Sequence, residues 1–106
     1  MNAARGAPAD VARNLQAIDR LKADAARSVA ALLEGMYRND GGQIEDALAT
    51  MVISAFALSK RLGISYAGLD DAIRRRLQAM IEQSHEAEQW FGDCSELLRY
   101  MQQGTG

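Results

Sequence analysis

Residues 41–63 read GGQIEDALATMVISAFALSKRLG, and this stretch decides the fold class. Residues 47–59 carry no charge, and their apolar side chains recur in steps of four and three, which predicts a helical face. Further apolar residues lie on its other sides, so several neighbouring helices are needed to bury it. A membrane-spanning helix needs roughly 20 apolar residues, more than this run supplies. The stretch therefore predicts the buried central helix of a bundle, with the seam Ile44, Leu48, Met51, Ala55, Leu58 and Leu62.

The sequence before this stretch predicts a long amphipathic helix. Its apolar series begins at Val11 and continues to Met36, again in steps of four and three. Pro8 is suited to the first turn of such a helix, because a residue there needs no N–H partner. Residues 37–42, YRNDGG, predict the turn that ends it.

The sequence after the stretch predicts two more helices. Gly63 is expected to end the second helix, and Ser65 to cap a third. Residues 90–92, WFG, break the third helix, and the spacing Asp93-x-x-Glu96 predicts a capping box that opens a short fourth one. Because one helix pair cannot bury the uncharged run, we expect an all-α bundle completed by homo-oligomerisation, as a dimer or a tetramer.

Composition bounds the remaining possibilities. The chain of 106 residues has one proline and a net charge of −2, which favours one helical domain and disfavours binding to nucleic acid. We expect residues 1–7 and 104–106 to be tails around a domain at 8–103. The single cysteine, Cys94, cannot form an internal disulfide and fits a reducing cytoplasm.

Few residues could carry chemistry. The carboxylates of Glu34, Glu45 and Asp46 are candidate Mg²⁺ ligands, although adjacent helical positions such as 45 and 46 point about 100° apart. The consecutive arginines Arg74, Arg75 and Arg76 could contact phosphate or a partner, or could form a solvated face. Glu82 and His85 share a helix face at the spacing of some metal sites, but a polar surface run explains them equally.

The order of these segments resembles the MazG-like family, the all-α nucleoside triphosphate pyrophosphohydrolases. The resemblance is carried by LLEGMYRND, QIEDALATMVISAFALSKRLGIS, LDDAIRRRL and the tail from His85 to Tyr100, and it covers roughly residues 28–103. It implies a Mg²⁺-dependent release of pyrophosphate from a nucleotide, with carboxylates at Glu-x-x-Glu on one helix and Glu-x-x-Asp on the next. In this sequence those positions fall on Ala31 and Glu34, and on Ala47 and Thr50.

Three hypotheses follow. The first is a MazG-like protein with a degenerate metal site that binds a nucleotide or regulates a partner. The second is a working Mg²⁺-dependent pyrophosphohydrolase, in which Glu45 and Asp46 replace the lost ligands after a register slip. The third is a helical module that binds another protein.

Overall fold

The computed structural model describes residues 3–83 and 92–104, and describes side chains from residue 9 onwards. These residues form four α-helices and no strand, which confirms the predicted all-α class. The helices are α1 (Ala3–Arg38), α2 (Gly41–Arg61), α3 (Tyr66–Gln83) and α4 (Asp93–Gly104). Contacts divide the chain into two compact units, Met1–Ser65 with the α1–α2 hairpin and Tyr66–Gly106 with α3 and α4.

Helix α1 begins earlier than the proline predicts. It starts at Ala3, so Pro8 is its sixth residue, and the prediction of Pro8 in the first turn was wrong. At this depth the missing N–H leaves the carbonyl four residues earlier without a helical partner. The preceding residues, AARGA, include several strong helix formers, which offset that loss.

The turn between α1 and α2 joins two capping motifs. Asn39 adopts a positive φ of 56°, the Asp40 N–H donates to the Gly35 oxygen at 2.8 Å, and the Asn39 N–H donates to the Met36 oxygen. This pair of bonds is the Schellman arrangement, with asparagine at the left-handed position. Asp40 is also the N-cap of α2, because its side chain accepts from the Gln43 N–H at 3.1 Å. One short turn thus ends α1 and starts α2.

The two helices of the hairpin pack closely on small residues. Ala47 and Ser54 of α2 are only 4% and 2% exposed, and Ser28 of α1 is also buried. A Cβ built on Gly35 would lie 3.1 Å from Ile44 Cγ1, so a glycine is needed for this approach. Small side chains bring the helix axes together, and larger ones move to the flanks.

The apolar seam predicted for α2 is therefore only partly correct. Ile44, Met51 and Leu58 are half-buried, as the pattern implies. In contrast, the predicted seam residues Leu48, Ala55 and Leu62 are exposed in the single chain. The buried line runs through Ala47, Ser54 and Ser59 instead, because the close hairpin contact favours small side chains.

The ends of the later helices match the sequence in most respects. Gly63 has φ 87°, with its N–H donating to Lys60 O and the Ile64 N–H to Ser59 O, which confirms it as the residue that ends α2. Helix α3 starts directly after Ser65. The capping box at Asp93 was wrong: Asp93 is already the first residue of α4, and the Glu96 N–H donates to the Gly92 backbone oxygen. Trp90 and Phe91 lie outside the described residues.

Many apolar side chains of the described residues remain exposed. On α2 they include Leu48, Val52 and Ile53, the last of which is 65% exposed. None of the described helices combines the length and apolar character that crossing a membrane requires.

Candidate functional site

A cleft of about 530 Å³ lies between α1 and α2. The cleft is largely open to solvent, and its volume falls within the roughly 300–1,000 Å³ of small-molecule sites. Four side chains of α1, four of α2 and the N-cap of α2 line it: Asp24, Arg27, Ser28, Ala31, Asp40, Gln43, Asp46, Ala47 and Thr50.

Helical periodicity explains why these residues meet. Positions 24, 28 and 31 follow one another in steps of four and three on α1, and positions 43, 47 and 50 do the same on α2. The Gln43 amide crosses the cleft and donates from Nε2 to the Ala31 oxygen at 3.0 Å. The short side chains of Ala31 and Ala47 leave the space that forms the cleft floor.

The hydroxyl groups in the cleft are bound to their own helices. Ser28 Oγ donates to the Ala25 oxygen at 2.7 Å, and Thr50 Oγ1 donates to the Asp46 oxygen at 2.9 Å. Each hydroxyl group therefore donates its hydrogen bond within its own helix, and its oxygen can still accept another one.

Two of the three cleft carboxylates already have a partner. Asp24 Oδ1 accepts from Arg27 at 2.7 Å, and Asp40 Oδ1 is occupied by the α2 cap. Asp46 is exposed, and within residues 9–83 and 92–104 its carboxylate has no hydrogen-bond or ion-pair partner.

The structure brings only one of the three predicted metal ligands to the cleft. Asp46 lines it, whereas Glu34 and Glu45 do not. Glu34 is a surface residue with a 53% exposed side chain, and its carboxylate lies 3.5 Å from the Arg38 guanidinium. Glu45, next to Asp46 in sequence, is exposed on another side of α2, as the angle between adjacent helical positions requires.

Magnesium ions need several oxygen ligands in octahedral geometry. Among the described side chains, no group of three or more His, Cys, Asp or Glu residues is placed to hold a metal ion. The residues present around the cleft therefore do not fit a multi-carboxylate magnesium site.

The metal-ligand positions implied by the family resemblance also lie partly in the cleft and partly outside it. Ala31, Ala47 and Thr50 all line the cleft, and Glu34 does not. Ser28 lies three residues before Ala31 on the same face of α1, and these two positions face α2. Sequence reasoning missed Asp24 and Ser28, and it considered Asp40 among the acids without including it in the ligand set. The spacing of 24, 28 and 31 would have indicated Asp24 and Ser28, had the α1 face been taken from the small residues rather than from the large ones.

The three arginines lie on α3, in the other compact unit. Arg74 is half-buried, pairs with Asp70 at 3.1 Å and donates to the Met101 oxygen at 3.3 Å, so it joins α3 to α4. Arg75 is exposed and lies 3.6 Å from Asp71. Arg76 is exposed. A phosphate-binding role for this triplet stays a prediction, and Arg74 also has a structural role within its unit.

The remaining candidates offer little chemistry. Glu82 is exposed near the end of α3, and His85 lies outside the described residues, so their pairing stays a prediction. Cys94 is a half-buried free thiol in the first turn of α4.

Comparison with known proteins agrees with the fold. The model of the MazG-like family matches residues 11–94, which include the hairpin and its cleft. Comparisons with curated proteins and with solved structures give no match. The family match supports an all-α fold like that of the nucleoside triphosphate pyrophosphohydrolases. Because the matched segment spans most of the chain, this protein belongs to the MazG-like family.

Proposed function

We propose that this MazG-like protein does not hydrolyse nucleotides through Mg²⁺ and acts instead as a binding or regulatory module. The observation that supports this proposal is the composition of the cleft wall. Four small side chains, Ser28, Ala31, Ala47 and Thr50, occupy the facing positions of α1 and α2. Alanine has no oxygen to offer, and a neutral hydroxyl is a weak substitute for a carboxylate around Mg²⁺.

The charge balance of the cleft supports the same proposal. Three carboxylates and one guanidinium line it, which leaves two negative charges. Unless a cation neutralises the cleft, the phosphates of a nucleotide are repelled by it. One unpartnered carboxylate, Asp46, provides too few ligands to hold such a cation.

We further propose that the protein works as a homo-oligomer in the cytoplasm. The exposed apolar side chains on α2, at Leu48, Val52 and Ile53, support the oligomer, because their burial in an assembly would release water from apolar surface.

One observation favours an active enzyme as the alternative. Asp24 on α1 and Asp46 on α2 face the same cleft, so each helix contributes a carboxylate. In that case the Arg27–Asp24 pair must open, and Glu34 or Glu45 must turn toward the cleft to complete the Mg²⁺ ligands.

A hydrolysis assay separates these functions. Purified protein is incubated with Mg²⁺ and a panel of canonical and modified nucleoside triphosphates, and released pyrophosphate is measured. We expect no release above the buffer level. Release that disappears in Asp46→Asn but persists in Asp19→Asn, an exposed acid of α1 that does not line the cleft, would establish the enzyme instead.

A further inference from the structure

We propose that the α1–α2 cleft binds a ligand that carries a positively charged ammonium or guanidinium group. This inference rests on the proposed function, since it requires a cleft that is not used for Mg²⁺-bound nucleotide. It follows from the hydrogen-bonding capacity of the cleft side chains, from their charge, and from the shape of the cleft floor.

The cleft offers mainly acceptors. The hydroxyl protons of Ser28 and Thr50 are donated to backbone oxygens of their own helices, so each oxygen is left as an acceptor. One Gln43 amide N–H donates to Ala31, which leaves Oε1 as an acceptor and the second N–H as a donor. The donors that remain for a ligand are the N–H groups of Arg27, which is paired with Asp24, and this second N–H of Gln43.

A donor-rich ligand is complementary to such a site. An ammonium group has three N–H donors and a guanidinium group has five, and neither has an acceptor. A phosphate has only acceptors at its surface oxygens, so it would meet acceptor oxygens in most directions. The acceptor oxygens of a phosphate also carry negative charge, so the cleft carboxylates repel them.

Charge points to the same ligand class. The cleft carries two net negative charges, and Asp46 is an ionisable group without a partner in the described part of the chain. Hydrogen bonds between a cation and a carboxylate are stronger than those between neutral groups. Asp46 is therefore the residue expected to contact the ligand cation.

The cleft floor suits the carbon chain of such a ligand. Ala31 is half-buried and contributes apolar surface beside the polar side chains, whereas Ala47 is only 4% exposed and contributes little. The methylene groups of a polyamine or an arginine side chain can lie on this surface while the charged end reaches a carboxylate.

Nuclear magnetic resonance on the full chain tests the proposal without a nucleotide or Mg²⁺. The side-chain amide of Gln43 lies in the cleft and reports on it directly, and the amide of Gln78 on α3 is the internal reference. Two probes are titrated, free spermidine and the capped peptide acetyl-Gly-Arg-Gly-amide. We expect at least one probe to shift the Gln43 side-chain resonances while the Gln78 resonances remain unchanged. Comparing the affinities of the two probes then shows whether the cleft prefers a free amine or a peptide side chain.

Variants test the contribution of charge. Asp46→Asn keeps the shape of the side chain and is expected to weaken binding about tenfold, the effect of losing one hydrogen bond to a charged group. Glu45→Gln removes the same charge one residue away, outside the cleft, and is expected to leave affinity within about twofold, since exposed charges interact weakly.

Three results would overturn the inference: Gln43 signals that move with neither probe, binding that is equal in Asp46→Asn and the wild type, or Mg²⁺ alone moving the Gln43 signals while both probes leave them in place. The proposed function fails separately, through Mg²⁺-dependent pyrophosphate release. Absent probe binding together with absent hydrolysis would overturn only the ligand class.

Discussion

Replacing Gly35 by alanine tests the close contact on which the hairpin depends. A new Cβ at this position would lie 3.1 Å from Ile44 Cγ1, 3.2 Å from the Ile44 backbone nitrogen and 3.3 Å from Gln43 Cγ. All three distances are below ordinary van der Waals separation. The backbone nitrogen is the decisive neighbour, because it belongs to the first turn of α2 and cannot move without the helix.

Two effects of opposite sign determine the size of the change. Alanine favours a helix over glycine by about 1 kcal/mol in a helix interior, and by less near the end of α1, where residue 35 lies. Extra volume in a packed contact costs about 1–3 kcal/mol. We therefore expect Gly35→Ala to lower the free energy of unfolding by about 1 kcal/mol, and the larger Gly35→Val to lower it further.

Urea unfolding followed by circular dichroism at 222 nm measures this effect, at one fixed protein concentration so that assembly does not change between variants. Gly41→Ala is the matched control, since no atom lies within 4 Å of its added Cβ and the residue is also helical. It should be neutral or stabilising by a few tenths of a kcal/mol. If Gly35→Ala were as stable as Gly41→Ala, or more stable than the wild type, the close contact would not limit the hairpin.

Three further substitutions test the caps and the exposed apolar surface. Asp40→Ala removes the N-cap bond to Gln43 and should cost about 1 kcal/mol in urea unfolding, whereas Asp40→Asn should restore most of it. Gly63→Ala forces a side chain into φ 87° and should cost about 1 kcal/mol, more than Gly41→Ala, which needs no such φ; equal stability of the two would contradict the strain. Ile53→Asp, at a 65% exposed position on α2, should reduce the mass measured by sedimentation if this surface joins subunits, while Glu45→Gln should not.

Much of the fold could be predicted from local patterns. The all-α class, the end of α2 at Gly63 and the start of α3 after Ser65 all follow from periodicity and from residues with special backbone preferences. These signals are local, so tertiary structure did not need to be known. The start of α1 was missed because Pro8 was given more weight than the helix-forming residues before it.

The packed face of α2 was harder to predict. Periodicity places Leu48 and Ala47 on neighbouring sides of the helix, and hydrophobicity alone selects the leucine. The hairpin selects Ala47 and Ser54 because the helices approach as closely as Gly35 permits. How closely two helices approach depends on both partners, and one amphipathic pattern does not contain that information.

The same distinction explains why two of the three acids proposed for the metal lie away from the cleft. Glu34 was proposed from the family pattern and Glu45 from its residue type, and both criteria specify chemistry but not the facing side of each helix. Once the small residues fix that side, positions 28 and 31 face 47 and 50, and the carboxylates near them are Asp24, Asp40 and Asp46.

The packing of the hairpin and the proposed loss of Mg²⁺ binding are compatible, because different residues determine each of them. Gly35, Ser54 and the turn at Asn39 hold α1 against α2, and none of them lines the cleft. The wall positions 28, 31, 47 and 50 carry small side chains, which a close helix pair tolerates well. Small uncharged side chains at these positions avoid charge repulsion between the facing helices, and they leave the contacts that close the hairpin undisturbed. Substitutions at the wall positions can therefore change which ligand the cleft accepts, while Gly35, Ser54 and the turn at Asn39 keep the hairpin closed.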